Sequence, residues 1–289
     1  HLSISVYGPK APRGTRHNNS DQQPVISANW ASPGYLSGII EPGEWIVELD
    51  VHRILPPGNV EYRIDVFCET KETKEPSPFP GPLKPDRIRR RGQGWYTGDL
   101  HGHTFHSDGD YSPADFLAEA WNRGYDFVAL TDHNTVSAIP EITSLAGEGM
   151  TIISGVELTT FYGHAVVLGA HGWTDWRVKD GSSMSALATG LHEAGAIFII
   201  AHPKSEGHPI CTGCRWAYSD MMPGPARHVE IWNRGWAGEH NEPALKQYYK
   251  WLNDGYRIVA SSGTDTHCPM PSGIRIAANR IHAMDNTPE

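Results

Sequence analysis

Nine residues able to bind a metal ion recur along the last two-thirds of the chain: His101, His103, Asp108, His133, Glu157, His164, His202, Asp265 and His267. They lie in the segments DLHGHTFHSDG, TDHN, GVEL, GHAVVLG, AHP and GTDTH, almost all where an apolar, strand-like run gives way to a loop. A single residue separates His101 from His103, and Asp265 from His267. On extended backbone each pair therefore projects from one face and can meet the same ion. Glu157 stands in an otherwise apolar segment, where a carboxylate is costly unless it meets a cation, and its two oxygens could bridge two ions. His164 is the outlier, because it starts its apolar run instead of ending it. Imidazole and carboxylate donors without thiolate suit Mn²⁺, Zn²⁺ or Fe²⁺. The donors outnumber the needs of one or two ions, so two or three divalent ions are expected, and with them hydrolysis.

Other polar residues are candidates for supporting roles. Asp132 points away from its neighbour His133 on extended backbone and is expected to support a ligand or carry a proton, and Asp132 and Asp99 are expected to orient histidine ligands. His106 and Asp110 flank Asp108 and compete for its role. Arg215, Arg234 and Lys204 are candidates to hold a substrate anion, each equally well read as surface charge. Trp216, Trp232 and Trp236 could stack a planar leaving group or simply pack. Cys211 and Cys214 form a lone CxxC without the second pair of a zinc ribbon, which reads as a loop disulfide or two free thiols. Cys268, next to His267, has no assigned role.

The elements that must position these residues change character along the chain. Short alternating segments, Leu2 to Tyr7, Tyr35 to Ile40, Glu44 to His52 and Val60 to Cys68, are punctuated by Gly and Pro-Gly turns and predict a small all-β, sandwich-like unit. Its histidines, His1, His17 and His52, show no ligand spacing, and the unit reads as accessory. A Pro-, Lys- and Arg-rich stretch from Lys71 to Arg91 then forms a linker, giving units over 1–92 and 93–289. Beyond it strands and helices alternate. Strands are predicted at Trp95–His101, Tyr125–Thr131, Met150–Gly155, His164–Gly169, Ala196–Ala201, Val229–Trp232 and Arg257–Ser261. A helix opens at Ser112-Pro113 and closes at Gly124, and others run from about Ser185 to Ala194 and from about Glu242 to Asn253. Continuous apolar strands separated by helices imply an α/β fold with a parallel sheet closed into a barrel, whose strand C-terminal ends carry the chemistry.

Composition narrows the partners. A formal net charge of −9, from 33 acidic and 24 basic residues, argues against a nucleic-acid polymer, which calls for a basic track. A small-molecule ester is the expected substrate. Apolar runs such as Ala194 to Ala201 are too short to span a bilayer, so no membrane is expected and the chain reads as soluble. The chain starts at His1 without a Met, which fits a processed or truncated end and leaves the compartment open.

Taken together and in this order, DLHGHTFHSDG, TDHN, GVELTT, AHP and GTDTH resemble the motifs of the PHP (polymerase and histidinol phosphatase) superfamily over about Gly94 to His267. The resemblance implies a distorted (β/α)7 barrel with a di- or trinuclear site. It would assign His101, His103, Glu157 and Asp265 to one ion, Glu157, His164 and His202 to a second, and Asp108, His133 and His267 to a third. Asp108 stands where many members carry a His, which implies a weaker third position. The β-rich unit upstream and GHAVVLG also resemble the CehA/McbA-type branch, a group of metallohydrolases that includes carbamate and ester hydrolases. The leading expectation is a phosphoesterase in which a hydroxide bridging two ions attacks phosphorus in line with the leaving oxygen. The alternatives are a carbamate or carboxylic ester hydrolase using the same metals, and a structural module with a vestigial site.

Overall fold

A computed structural model of the chain describes residues 2–18, 22–51, 58–59, 61–70, 80–177, 180–206, 214–236, 238–269 and 276–288. Near the N-terminus, β1 (Leu2–Tyr7), β2 (Pro12–Asn18) and β3 (Ile46–Val51) form an antiparallel sheet in the order β2-β1-β3. β2 was not among the predicted strands, because its sequence, PRGTRHN, is polar throughout. Its side chains find polar partners instead of an apolar core. Thr15 Oγ1 lies 2.9 Å from Ser5 Oγ, and His17 Nδ1 lies 2.9 Å from Ser3 Oγ. The buried Arg13 guanidinium donates to the carbonyls of Leu36, Gly38 and Ile39 at 2.9–3.2 Å.

That last interaction explains why the strand expected at Tyr35–Ile40 does not form. Those carbonyls turn inward to Arg13, and Gly38 takes a φ of +150° beside them. The strand expected at Val60–Cys68 is also missing over residues 61–68, where Tyr62, Val66 and Phe67 are strongly exposed; Val60 lies outside the described residues. Its alternating pattern fits a strand, but without a neighbouring strand an extended segment leaves its backbone groups to water. His1, His52 and residues 71–79 of the expected linker also lie outside the described residues.

The rest of the chain builds one eight-stranded sheet in the order β10-β9-β8-β7-β6-β5-β4-β11. The elements are β4 (Gly94–Asp99), α1 (Pro113–Asn122), β5 (Phe127–Leu130), α2 (Ile139–Ala146), β6 (Thr151–Thr159), β7 (His164–Leu168), α3 (Met184–Glu193), β8 (Ile197–Ile200), β9 (His228–Asn233), α4 (Asn241–Asn253), β10 (Val259–Gly263) and β11 (Asn279–Ala283). The sheet curls into a nearly closed barrel. Its seam lies just past β4 and β10, where Asp265 N donates to His101 O at 2.9 Å and His103 N to Thr266 O at 3.0 Å. Among the described residues no helix is long and apolar enough to cross a membrane.

The helices form for reasons written locally. Ser112 caps α1, its Oγ accepting from Asp115 N at 3.1 Å, Pro113 occupies the first turn, and Gly124 ends the helix at φ +74°. Phe116, Leu117, Ala120 and Trp121 make its buried face. Val128 and Leu130 of β5 meet α1 and α2, whereas Phe127 and Ala129, on the opposite face, join Tyr96, Val166 and Ile199 in a separate core. α2 is a short element that the sequence pattern did not signal.

The parallel sheet needs correction. β7 runs antiparallel to both β6 and β8, and β11 runs antiparallel to β4. Only residues 160–163 join β6 to β7, and a link that short makes a hairpin, since a parallel return needs a crossover of a dozen residues or more. β5 and β7 are buried throughout, so their apolar runs carry no mark of strand direction.

Where the two sheets approach, Arg177 Nη1 contacts Glu48 Oε2 at 2.9 Å and its guanidinium lies over Tyr7. Beside them the Asp50 carboxyl is pushed up to about 6 by burial and by the neighbouring Glu48. A raised folded-state value means no penalty below the unfolded value near 3.8 and a loss of stability as pH rises through about 6. Asp50→Asn should therefore raise the melting temperature by a few degrees at neutral pH and leave it unchanged near pH 4. Thermal unfolding at the two pH values checks this, and an equal shift at both would refute it.

Candidate metal centre

All nine predicted metal-binding residues converge at one end of the barrel. His101 and His103 follow β4, Asp108 lies in the loop leading to α1, His133 follows β5, His202 follows β8, and Asp265 and His267 follow β10. Glu157 sits inside β6, which runs four residues past its predicted end. His164 is explained by the reversal of β7: the start of an antiparallel strand lies at the same barrel end as the finishes of its parallel neighbours. In register, His164 faces Thr159 and Val166 faces Glu157. Among the described residues, four non-glycine residues adopt positive φ, namely Asn134, His202, Arg234 and Asp265, and all belong to this end of the barrel. Backbone strain concentrated in one place is a mark of functional sites.

Glu157 is the hub. Its Oε2 lies 3.2 Å from His101 Nε2, 3.3 Å from His103 Nε2 and 3.0 Å from His133 Nδ1. Its Oε1 lies 3.2 Å from His164 Nδ1 and 3.1 Å from His202 Nε2. Asp265 Oδ1 stands 3.1 Å from His103 Nε2 and 3.6 Å from His101 Nε2. Asp108 Oδ1 stands 3.4 Å from His133 Nε2 and 3.2 Å from His267 Nε2. Three sets of donors are close enough to share an ion: His101, His103, Glu157 and Asp265; His133, Glu157 and His164; and His103, Asp108, His133 and His267.

The donor set fits divalent ions. His101, His103, Glu157 and His164 are buried almost completely. His101 Nε2, His103 Nδ1, Asp108 Oδ1 and Glu157 Oε2 are buried without a hydrogen-bond partner, an arrangement that native proteins avoid unless something else satisfies those atoms. Burial alone would raise the Glu157 carboxyl, yet His101, His133 and His164 hold it well below the usual carboxylate range. Burial, with His267 and His133 beside it, takes His103 down to about 3, leaving a neutral nitrogen donor. His267 is lifted against its burial to about 9 by Asp108 and Asp265.

Around these donors lies a set of residues that fix them. Glu230 Oε2 accepts from His101 Nδ1 at 2.8 Å, and Glu230 Oε1 accepts from Asn233 Nδ2 at 2.7 Å. The sequence reading missed Glu230, although a carboxylate in the apolar β9 carries the same signal that singled out Glu157. Gly263 makes room for this pair, since a Cβ there would lie 2.4 Å from His101 Cβ and 2.6 Å from Glu230 Oε2. Asn134 joins β5 to β6, its side chain accepting from Thr159 N and donating to Thr159 O.

Asp132 and Asp99 need correction as orienters of histidine rings or proton carriers. Asp132 accepts from Thr104 N, Thr104 Oγ1 and Ser107 Oγ, each at 2.7 Å, and so shapes the loop that carries Asp108. Asp99 accepts from the backbone of His101 and from both the backbone and hydroxyl of Thr264, tying the β4 and β10 ends together. Both carboxylates are already occupied by donors.

The candidate cations separate in the same way. Arg234 reaches the site, with Nη2 3.4 Å from Asp265 Oδ2 and the side chain half exposed. Arg215 is exposed and paired with Lys204 across an isolated antiparallel bridge, and among the described contacts neither touches the cluster. Trp216 is core, donating to Met221 O. Trp232 and Trp236 meet edge to face near Arg234. His106 turns away to Ser137, Asp110 takes the His267 carbonyl through its backbone, and Cys268 is an exposed free thiol. Cys214 is disulfide-bonded; Cys211 lies outside the described residues.

Comparison with known proteins places the chain in a family. The PHP domain matches residues 99–211. A 5'-3' exoribonuclease of Haemophilus influenzae is 41% identical over 107 residues, 37% of this chain and 30% of that protein. An uncharacterized protein of Methanocaldococcus jannaschii is 30% identical over 125 residues, 39% of this chain and 69% of the other. A solved two-domain protein of Bacteroides vulgatus, containing a predicted PHP-like metal-dependent phosphoesterase, matches with a TM-score of 0.50 at 17% identity, covering 75% of this chain and 65% of that one. At that identity the likeness is one of fold. The chain belongs to the PHP domain family, and it spans less than a third of the exoribonuclease.

Glu230→Gln should weaken metal binding about 10- to 100-fold by releasing the His101 ring, and Gly263→Ala should do at least as much by displacing both partners. Calorimetric titration of metal-free protein with Mn²⁺ tests this. Unchanged affinity in both variants would show that Glu230 does not set the ring.

Proposed function

We propose that the chain is a metal-dependent phosphoesterase acting on a small phosphomonoester or phosphodiester, not on a nucleic-acid polymer. One observation carries the reading: five buried imidazoles, brought in by four different strands, address the two oxygens of Glu157. So many imidazole nitrogens around one dry carboxylate are of little use to stability but suit a cluster of divalent ions. In this reading His101, His103, Glu157 and Asp265 hold one ion, Glu157, His164 and His202 a second, and Asp108, His133 and His267 a third. Residues 93–289 form the catalytic barrel and residues 1–92 the unit beside it.

Bound Mn²⁺, Zn²⁺ or Fe²⁺ would supply acidified water and charge neutralisation at phosphoryl oxygens. The protein's own contribution is geometric. Glu157 would serve as ligand to two of the ions, Glu230 keeps His101 from turning, and Asp99 and Asp132 hold the loops. Arg234 reaches from Asp265 toward solvent, where its guanidinium can meet a substrate anion, with Trp232 and Trp236 next to it.

The stretch similar to the exoribonuclease supports phosphate as the reacting group. The small sheet beside the barrel supports the second reading, a carbamate or carboxylic ester hydrolase of the CehA/McbA type. Turnover of p-nitrophenyl phosphate, bis-p-nitrophenyl phosphate and p-nitrophenyl acetate with Mn²⁺ or Zn²⁺ separates the two. Phosphate ester turnover is expected, and acetate turnover alone would overturn the first reading. Glu157→Gln should abolish turnover and remove more than one ion per chain by elemental analysis; loss of a single ion would exclude bridging.

A further inference from the structure

The N-terminal sheet places a histidine against the metal centre. His17 of β2 is buried, 3% exposed, with its ring centroid 4.9 Å from that of His133. Ser3, its register partner on β1, lies 2.9 Å from its Nδ1 and fixes the ring. The contact with His133 is part of a wider junction. Arg16 Nη2, one residue earlier, donates to Phe105 O at 3.1 Å. Gly34 N donates to Ser137 Oγ at 3.0 Å, and Gly34 O accepts from Thr135 Oγ1 at 2.9 Å. Gly34 must be glycine here, because its φ is +92° and a Cβ would lie 2.8 Å from the Arg16 side chain. The two barrel loops gripped in this way are the ones that carry Asp108 and His133.

We propose that His17 is a positioning residue of the metal centre, setting the His133 ring that, with Asp108 and His267, forms the outermost ion position. The proposal rests on the metal-binding reading above. It makes the N-terminal sheet a contributor to that position, not an accessory beside it. His133 has His103 stacked on it at 4.3 Å and His17 tilted against it at 4.9 Å. Removing His17 takes away the wall that the N-terminal sheet gives this ring. The set of His101, His103, Glu157 and Asp265 is supplied by the barrel alone and lacks His133, so the ion it would hold is spared.

The test is stepwise Mn²⁺ titration of the metal-free full chain, with elemental analysis of the loaded protein. Wild type, His17→Ala, Ser3→Ala, Asp108→Asn and the His17→Ala/Asp108→Asn double variant are compared. The expected result is that His17→Ala and Asp108→Asn each weaken the last-bound ion at least tenfold, with the tightest step unchanged. The double variant should be no worse than Asp108→Asn alone, because both act on one position. Ser3→Ala should weaken the same step to a smaller degree, and it carries the test if His17→Ala does not fold. Three results would overturn the proposal: wild-type binding in the His17→Ala and Ser3→Ala variants, losses that add to that of Asp108→Asn, or an Asp108→Asn protein that binds Mn²⁺ as wild type does. A wild-type chain that binds no Mn²⁺ at all would instead overturn the metal-binding reading itself.

Discussion

A carboxylate buried among imidazoles is the constraint on which the rest of the molecule depends. Glu157 is fully buried in β6, and each of its oxygens is approached by ring nitrogens from several strands. An ionised carboxylate removed from water must be compensated, and only ring nitrogens that donate protons to it or share metal ions with it can do so here. The chain must therefore bring β4, β5, β6, β7 and β8 to one point while keeping their ends dry. The barrel meets that requirement through a seam at β4 and β10, where Asp99, Thr264 and two backbone hydrogen bonds hold the strand ends together.

Carboxylates of the same chemical type serve different purposes here because their surroundings differ. Asp265 and Asp108 face imidazole nitrogens and stay ionised. Asp99, buried among backbone donors, is pushed up to about 6 mainly by its burial, and Asp132 is raised for the same reason. Glu230 turns one oxygen to His101 and the other to Asn233. Partner geometry, not residue type, separates those that can meet an ion from those that fix the backbone or a ring.

The reversed strand β7 shows how fold and site are coupled. Were β7 parallel, like most of its neighbours, His164 would lie at the far end of the barrel. The tight hairpin after Thr159 reverses the chain, so that the first residue of β7 stands beside the middle of the cluster. Thr159 contributes further by contacting His133 Nδ1 through its hydroxyl while its backbone is gripped by Asn134.

Much of this was legible in the sequence. Ligand types and their one-residue spacings depend only on the extended geometry of a strand end, and the caps Ser112 and Gly124 act within a single turn, so both could be read locally. Glu157 stood out because a carboxylate is costly in an apolar run. Three kinds of feature could not be read this way. Strand direction is invisible in β5 and β7, where both faces are buried and the apolar run reads the same either way. The roles of Asp99 and Asp132 depended on which distant donors would reach them. The approach of His17 to His133 joins residues 116 positions apart in the numbering, in a strand whose polar sequence hides it. Local spacing thus determined which residues could bind metal, while the three-dimensional closure of the barrel decided which of them meet and what holds them there, because burial and long-range partners exist only once the strands have been brought together.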